Sequence, residues 1–92
     1  MSKTMDFVIE GEKGFYMVAA ISPEARDWVE ANVSVPEYAD PFWFPCEGGY
    51  VEHLTLGMIQ DGFFVEVNGR LAYEKDGEIL SAPLDRGRVS VV

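Results

Sequence analysis

Basic residues are scarce in this 92-residue chain: seven Lys and Arg stand against sixteen Asp and Glu, for a net charge of −9. That balance excludes a basic nucleic-acid binder, which would neutralise phosphates with clustered Lys and Arg. Cysteine and histidine occur once each, as Cys46 and His53. One thiol cannot close an internal disulfide, so a disulfide scaffold is excluded and a reducing compartment is indicated. No paired His or Cys spacing suits a zinc finger, and no metal or cofactor is expected. No apolar run approaches the ~18 residues of a membrane span. The start, Met1-Ser2-Lys3-Thr4-Met5-Asp6, has no apolar stretch of the kind a signal peptide carries. The glycines form neither phosphate-cradling pattern, G-x-x-x-x-G-K-[ST] or G-x-G-x-x-G. What the chain does have is 48% hydrophobic residues with only 25% charged, an ordinary globular balance. The expectation is one acidic, cytoplasmic globular domain over residues 1–92.

The charge is local. Residues 1–66 hold twelve acids against Lys3, Lys13 and Arg26, whereas residues 67–92 hold four acids and four bases. From Asp27 to Gly69 there is no Lys or Arg, and eight carboxylates fall in that stretch. Interleaved signs would neutralise a surface, because crowded like charges destabilise the compact state. Two readings follow: an acidic face that keeps a small protein in solution, or a patch for a basic partner.

Residues 5–10 and 15–21 are two apolar runs joined by Gly11-Glu12-Lys13-Gly14, and they predict a β-hairpin. The second run is apolar throughout, which predicts a central strand covered on both faces. Ser22-Pro23-Glu24 opens a helix, with Ser22 as N-cap and Pro23 in the first turn. Ala25, Trp28, Val29 and Val33 recur at helical spacing, Arg26 is placed to reach Glu30, and the helix ends near Asn32 before Pro36. Phe42-Trp43-Phe44 lies between prolines and is therefore extended. Residues 50–61 predict a second helix with Tyr50, Val51, Leu54 and Met58 on one face and Gly62 as its cap. Gly57 costs about 1 kcal/mol there relative to Ala and marks a close helix crossing. Alternation in Val51-Glu52-His53-Leu54 leaves a strand over 50–56 open. Asn68-Gly69 and Asp76-Gly77 then punctuate a three-strand meander, and Val89-Ser90-Val91-Val92 reads as an edge strand or a frayed end. The expected fold is α+β: a mostly antiparallel sheet of about five strands with two helices packed on one face.

Little here points to catalysis. Cys46 and His53 could pair as nucleophile and base, yet nothing suggests an orienting third group, and Pro45-Cys46-Glu47 is not expected to lower the thiol pKa. No catalytic residue is assigned. Phe42-Trp43-Phe44, flanked by Asp40 and Glu47, has two readings: a core strand closing the sheet, or an exposed aromatic anchor with an acidic rim.

Two stretches carry a resemblance. Residues 22–33, Ser-Pro-Glu-Ala-Arg-Asp-Trp-Val-Glu-Ala-Asn-Val, are followed by Trp43 and by the run from Tyr50 to Phe63. Together they resemble short accessory proteins of phages and other mobile elements, with an A-R-x-W-x-x-x-N-V helix before a Y-[VI]-x-x-L-x-x-G-M-x-x-D-G-F helix. The resemblance spans about residues 20–65 and implies a bacterial cytoplasm. By analogy with anti-CRISPR and anti-restriction proteins, it implies an inhibitor. The leading expectation is a non-enzymatic inhibitor and DNA mimic. It would bind a basic host protein or ribonucleoprotein through Glu24, Asp27, Glu30, Glu37, Asp40, Trp43, Glu47 and Glu52, without touching nucleic acid or membrane. A DNA strand carries a phosphate every ~3.4 Å, about nine across a domain ~30 Å wide, a density eight acids approach only on a shared face. The alternative is a structural or regulatory interaction module, homodimeric in one form, that uses an aromatic patch around Trp43.

Overall fold

The computed structural model describes residues 5–35, 40 and 42–83. Six strands and two helices follow one another as β1 (Phe7–Glu12), β2 (Phe15–Ala20), α1 (Pro23–Asn32), β3 (Trp43–Glu47), α2 (Gly48–Gln60), β4 (Val65–Val67), β5 (Arg70–Lys75) and β6 (Glu78–Pro83). Across the sheet the order is β3-β2-β1-β4-β5-β6, with β1 and β4 parallel and every other neighbouring pair antiparallel. The α+β class is as expected, but the sheet has six strands and is mixed. The reason is non-local. After β3 docks on β2, α2 carries the chain past β2 and β1, so β4 arrives on the far side of β1 pointing the same way.

The turns follow their local chemistry. Lys13 and Gly14, Asn68 and Gly69, and Asp76 and Gly77 all have positive φ, between 51° and 86°. Both central residues of each hairpin are thus left-handed, the type I′ geometry that matches strand twist. Ser22 accepts the Ala25 N–H through its Oγ at 3.1 Å, and Pro23 occupies the first turn of α1. At the end of α2 the Gly62 N–H donates to Ile59 O and the Phe63 N–H to Met58 O, both at 3.0 Å. With Gly62 at φ +93° this is a Schellman cap.

α2 begins two residues earlier than its apolar pattern implies. The Gly48 N–H donates to Gly14 O at 2.8 Å, and a Cβ on Gly48 would lie 3.1 Å from the Gly14 Cα. The helix start is thereby fastened to the first hairpin turn. Val51, Leu54, Thr55 and Met58 are buried at helical spacing, which overturns the strand alternative for residues 50–56. Tyr50, expected among them, is 46% exposed.

Strand register sets the core. Phe7, Ile9, Val18, Ala20, Phe44, Cys46, Val65 and Ala72 fall on one face of the sheet. They pack with Ala25 and Val29 of α1 and with Val51, Leu54 and Met58 of α2, so both helices cover that face. Trp28 locks the layer together. Its ring meets Phe7 edge-on at 5.8 Å and Phe63 at 6.3 Å, while its indole N–H donates to Asp61 Oδ2 at 2.6 Å. Gly57 faces the same ring, with a Cβ there placed 3.5 Å from Trp28 Cζ2, so the two helices do meet at this glycine. Arg26 turns away from Glu30: its Nε donates to Ala20 O at 3.2 Å, and its guanidinium lies 4.8 Å from the centre of the Phe42 ring.

Two polar ties cross from β1 to the second half of the sheet. Asp6, only 6% exposed, accepts the Phe64 N–H on Oδ2 at 2.9 Å and donates its own N–H to Phe64 O. Asn68 accepts the Gly11 N–H at 3.0 Å and donates to Gly11 O at 2.9 Å. Gly11 is obligatory, since φ is +152° and a Cβ would lie 2.2 Å from Phe15 O. The edge strand expected at Val89–Val92 lies outside the described residues.

Candidate functional site

Two surfaces compete as the functional face, and the sheet separates them. The first is the outer side of the helical layer. Glu24, Asp27 and Glu30 are exposed on α1, and Glu52 and Asp61 are exposed on or just after α2. Arg26 is the one Lys or Arg of either helix, and it is committed to Ala20 and Phe42.

The second is the opposite face of the sheet, on which no helix lies among the described residues. Its central row runs through every strand: Trp43, Ala19, Val8, Glu66, Leu71 and Ala82. Pro45, Met17 and Glu10 form a neighbouring row, and Glu47, Phe15 and Glu12 the next. Tyr73 pairs with Leu80 on the other flank. Four of the large exposed hydrophobic residues belong to strands: Phe15 (60% exposed), Trp43 (60%), Tyr73 (38%) and Leu80 (36%). All four lie on this one face. Singly scattered exposed apolar residues need no explanation; here Phe15 and Trp43 lie toward the β3 edge and Tyr73 and Leu80 toward the β6 edge of the same face. Glu10, Glu12, Glu47 and Glu78 are exposed on this face, with Lys13 next to Glu12 in the first turn and Lys75 opposite Glu78.

This corrects the expectation of β2 as a strand covered on both faces: it is central, and among the described residues helices cover only its inner side, with Met17 and Ala19 half-buried on the other. Its uncovered side is apolar too, through Phe15, Met17 and Ala19, so composition could not distinguish the faces. It also resolves Phe42-Trp43-Phe44 residue by residue. Phe44 is in the core, Phe42 is half-buried beneath Arg26, and Trp43 stands out from the edge strand.

The expected partner-binding residues therefore do not share one surface. Glu24, Asp27, Glu30 and Glu52 lie on the helical side, whereas Trp43 and Glu47 lie on the open face of β3. Asp40 is exposed and accepts the Phe42 N–H at 2.8 Å, turning the chain into β3. Glu37 lies outside the described residues. Two acids that sequence reasoning counted as surface charge are buried: Asp6 in its clamp, and Glu66 at 5% exposure between Val8 and Leu71. No sequence signal marks either, because a carboxylate is surface by default.

Cys46 and His53 are not brought into hydrogen-bonding contact. Cys46 is buried in β3, where burial first and the Glu47 charge second push its thiol pKa up. That is the reverse of an activated nucleophile. His53 is exposed on α2, with Nδ1 3.2 Å from Gly49 O. Among the described residues, no group of three His, Cys, Asp or Glu side chains could hold a metal, and no helix is long and apolar enough to cross a membrane.

A cleft of about 730 Å³ opens between α2 and the β4–β6 end of the sheet. Leu56 and Val51 form its helical wall, Ile79 and Val67 its floor, and Glu52 and Arg70 are among its polar residues. Arg70 is held by Ser81, whose Oγ accepts from its Nε at 3.0 Å.

Comparison with protein families, curated proteins and solved structures finds no match to this chain.

Proposed function

We propose that this chain is a non-enzymatic binding protein that engages a basic protein through the open face of its sheet, with Trp43 as anchor. The observation that carries this reading is that Phe15, Trp43, Tyr73 and Leu80, all exposed, lie on one face of the sheet, which no helix covers among the described residues. Apolar side chains interleaved with Glu10, Glu12, Glu47 and Glu78 fit a partner surface that combines apolar residues with Lys and Arg. A second copy is disfavoured, because two chains at −9 would bring like charges together. The resemblance to mobile-element accessory proteins supports the finer reading, in which the partner is a nucleic-acid-handling host complex in a bacterial cytoplasm and the effect is inhibition. The helical layer supports a second docking mode, since five exposed acids there face only one, already engaged, Arg.

Affinity capture from a bacterial lysate at low and high salt, with three proteins compared, tests this. The open-face variant carries Phe15→Ser and Trp43→Ala; the helical variant carries Asp27→Lys and Glu30→Lys. The expected result is capture of a Lys/Arg-rich protein by the wild type and the helical variant, lost with the open-face variant. Loss with the helical variant alone moves the site to the other layer. Equal capture by all three removes both modes.

A further inference from the structure

The two edges of the sheet are not alike. At one edge, β3 carries Pro45, which has no N–H to offer, and it runs directly into α2. At the other edge, β6 has no proline before Pro83 and no Lys, and among the described residues no strand lies beyond it. The two-residue turn at Asp76-Gly77 makes Lys75 and Glu78 a hydrogen-bonded pair, so Glu78, Leu80 and Ala82 direct their backbone groups at β5. Ile79 and Ser81 therefore direct their N–H and C=O outward. Pro83 falls in the same outward phase, where its missing N–H ends the pattern without costing β5 a bond.

The 730 Å³ cleft runs beside this edge. Residues Gly77 to Ser81 all line it. Leu80 is among them although its side chain is on the opposite face, so the cleft reaches the backbone of the strand itself. The side chains of Ile79 and Ser81 are on the cleft side, in register with Glu74 and Ala72. α2 stands opposite, with Leu56 apolar and with Glu52 and His53 exposed.

We infer that β6 and this cleft form a site for an extended peptide segment of a partner protein, added as a seventh strand. Its residues opposite Ile79 and Ser81 share their face and point into the cleft, where Ile79, Leu56 and Val67 receive apolar side chains. Glu52 lines the cleft wall and Glu78 stands at the outer side of the strand, while Arg70 is held by Ser81; in a chain of net charge −9 this favours Lys or Arg at the intervening positions of the segment. The main-chain bonds supply affinity and the alternate side chains supply selectivity. The cleft lies on the helical side of the sheet; the site shares only the border residue Glu78 and the backbone of Leu80 with the open face and does not need Trp43 or Phe15.

The probe is the capped hexapeptide Lys-Ile-Lys-Val-Lys-Ile, titrated into the full chain and followed by backbone amide shifts. The controls are a same-composition peptide with the Lys residues grouped, and two N-methylated forms, one blocked on each alternate set of amides. The expected result is shifts centred on Ile79, Ser81 and Leu56, with affinity reduced at least tenfold by grouping the Lys residues and by one N-methylated form only. The Leu56→Lys variant, checked for folding by the same spectra, loses binding. Equal binding by both N-methylated forms overturns the proposal, because attraction to an acidic chain would then suffice. Shifts centred on Trp43 and Tyr73, or concentration-dependent self-association at β6 in place of peptide binding, overturn it as well.

Discussion

The covered and open faces of this sheet are built from much the same residue types, and they are put to opposite uses. Phe7 and Phe15 sit on neighbouring strands, one wholly buried and the other 60% exposed. Trp28 and Trp43 repeat the contrast: the first joins α1 to Phe7, Phe63 and Asp61, the second projects from an edge. Hydrophobic content alone therefore says how much apolar surface a chain owns, and the helical layer decides which part is core. Beyond the helices, the same residue types stand exposed, as Phe15 and Trp43 do.

The sharpest way to break this comparison is a matched pair of truncations. Phe7→Ala removes a core ring and is expected to cost about 3–5 kcal/mol. Phe15→Ala is expected to cost under about 1 kcal/mol, and urea titration gives both values. Equal losses would mean that the open face is packed in solution. The tryptophans come next. Trp28→Ala is expected to cost about 3 kcal/mol, reduced from the full core value because the ring is half-buried. Trp43→Ala leaves the urea midpoint nearly unchanged while it abolishes partner capture. A smaller effect separates the carboxylates. Asp6→Ala removes the carboxylate that accepts the Phe64 N–H and costs about 1–3 kcal/mol, whereas Asp27→Ala stays within about 0.5 kcal/mol. The smallest concerns Cys46. Burial, and second the Glu47 charge, raise its folded pKa above the ordinary thiol value, so the folded state holds the thiol proton to higher pH than the unfolded chain does. The associated stability is present below the unfolded pKa and declines as pH rises through the folded one. Alkylation by iodoacetamide at pH 8 is expected to be at least tenfold slower in the native protein than in urea.

Legibility in the sequence followed the range of the interaction. The hairpins at Asn68-Gly69 and Asp76-Gly77, the Ser22-Pro23 helix start and the Gly62 stop were readable because each is set by a few adjacent residues. The parallel pairing of β1 with β4 was not, since nothing near Phe7 refers to Val65. The earlier start of α2 was hidden because Gly48 is justified by Gly14, a residue of another element. Within the candidate site, the exposure of Trp43 and the split of the acids between two surfaces depend on which face the helices chose. Asp6, Asn68 and Glu66 were structurally silent for the same reason: their surroundings come from strands far away in the chain.

The parallel pairing has one more consequence. β1 and β4 are joined by only three residue pairs, Phe7–Val65, Val8–Glu66 and Ile9–Val67, reinforced by Asp6 and Asn68 at either end. The sheet is thus two antiparallel blocks of three strands meeting at a short seam that closes across some 58 residues of chain. The β1–β2 pair and the β4-β5-β6 block can form from their own hairpins at little entropic cost, whereas the seam must wait for α1, β3 and α2 to be gathered in. The row from Trp43 to Ala82 crosses that seam. A partner laid along it would act as a splint, and its footprint would show in slowed amide exchange at Val65–Val67.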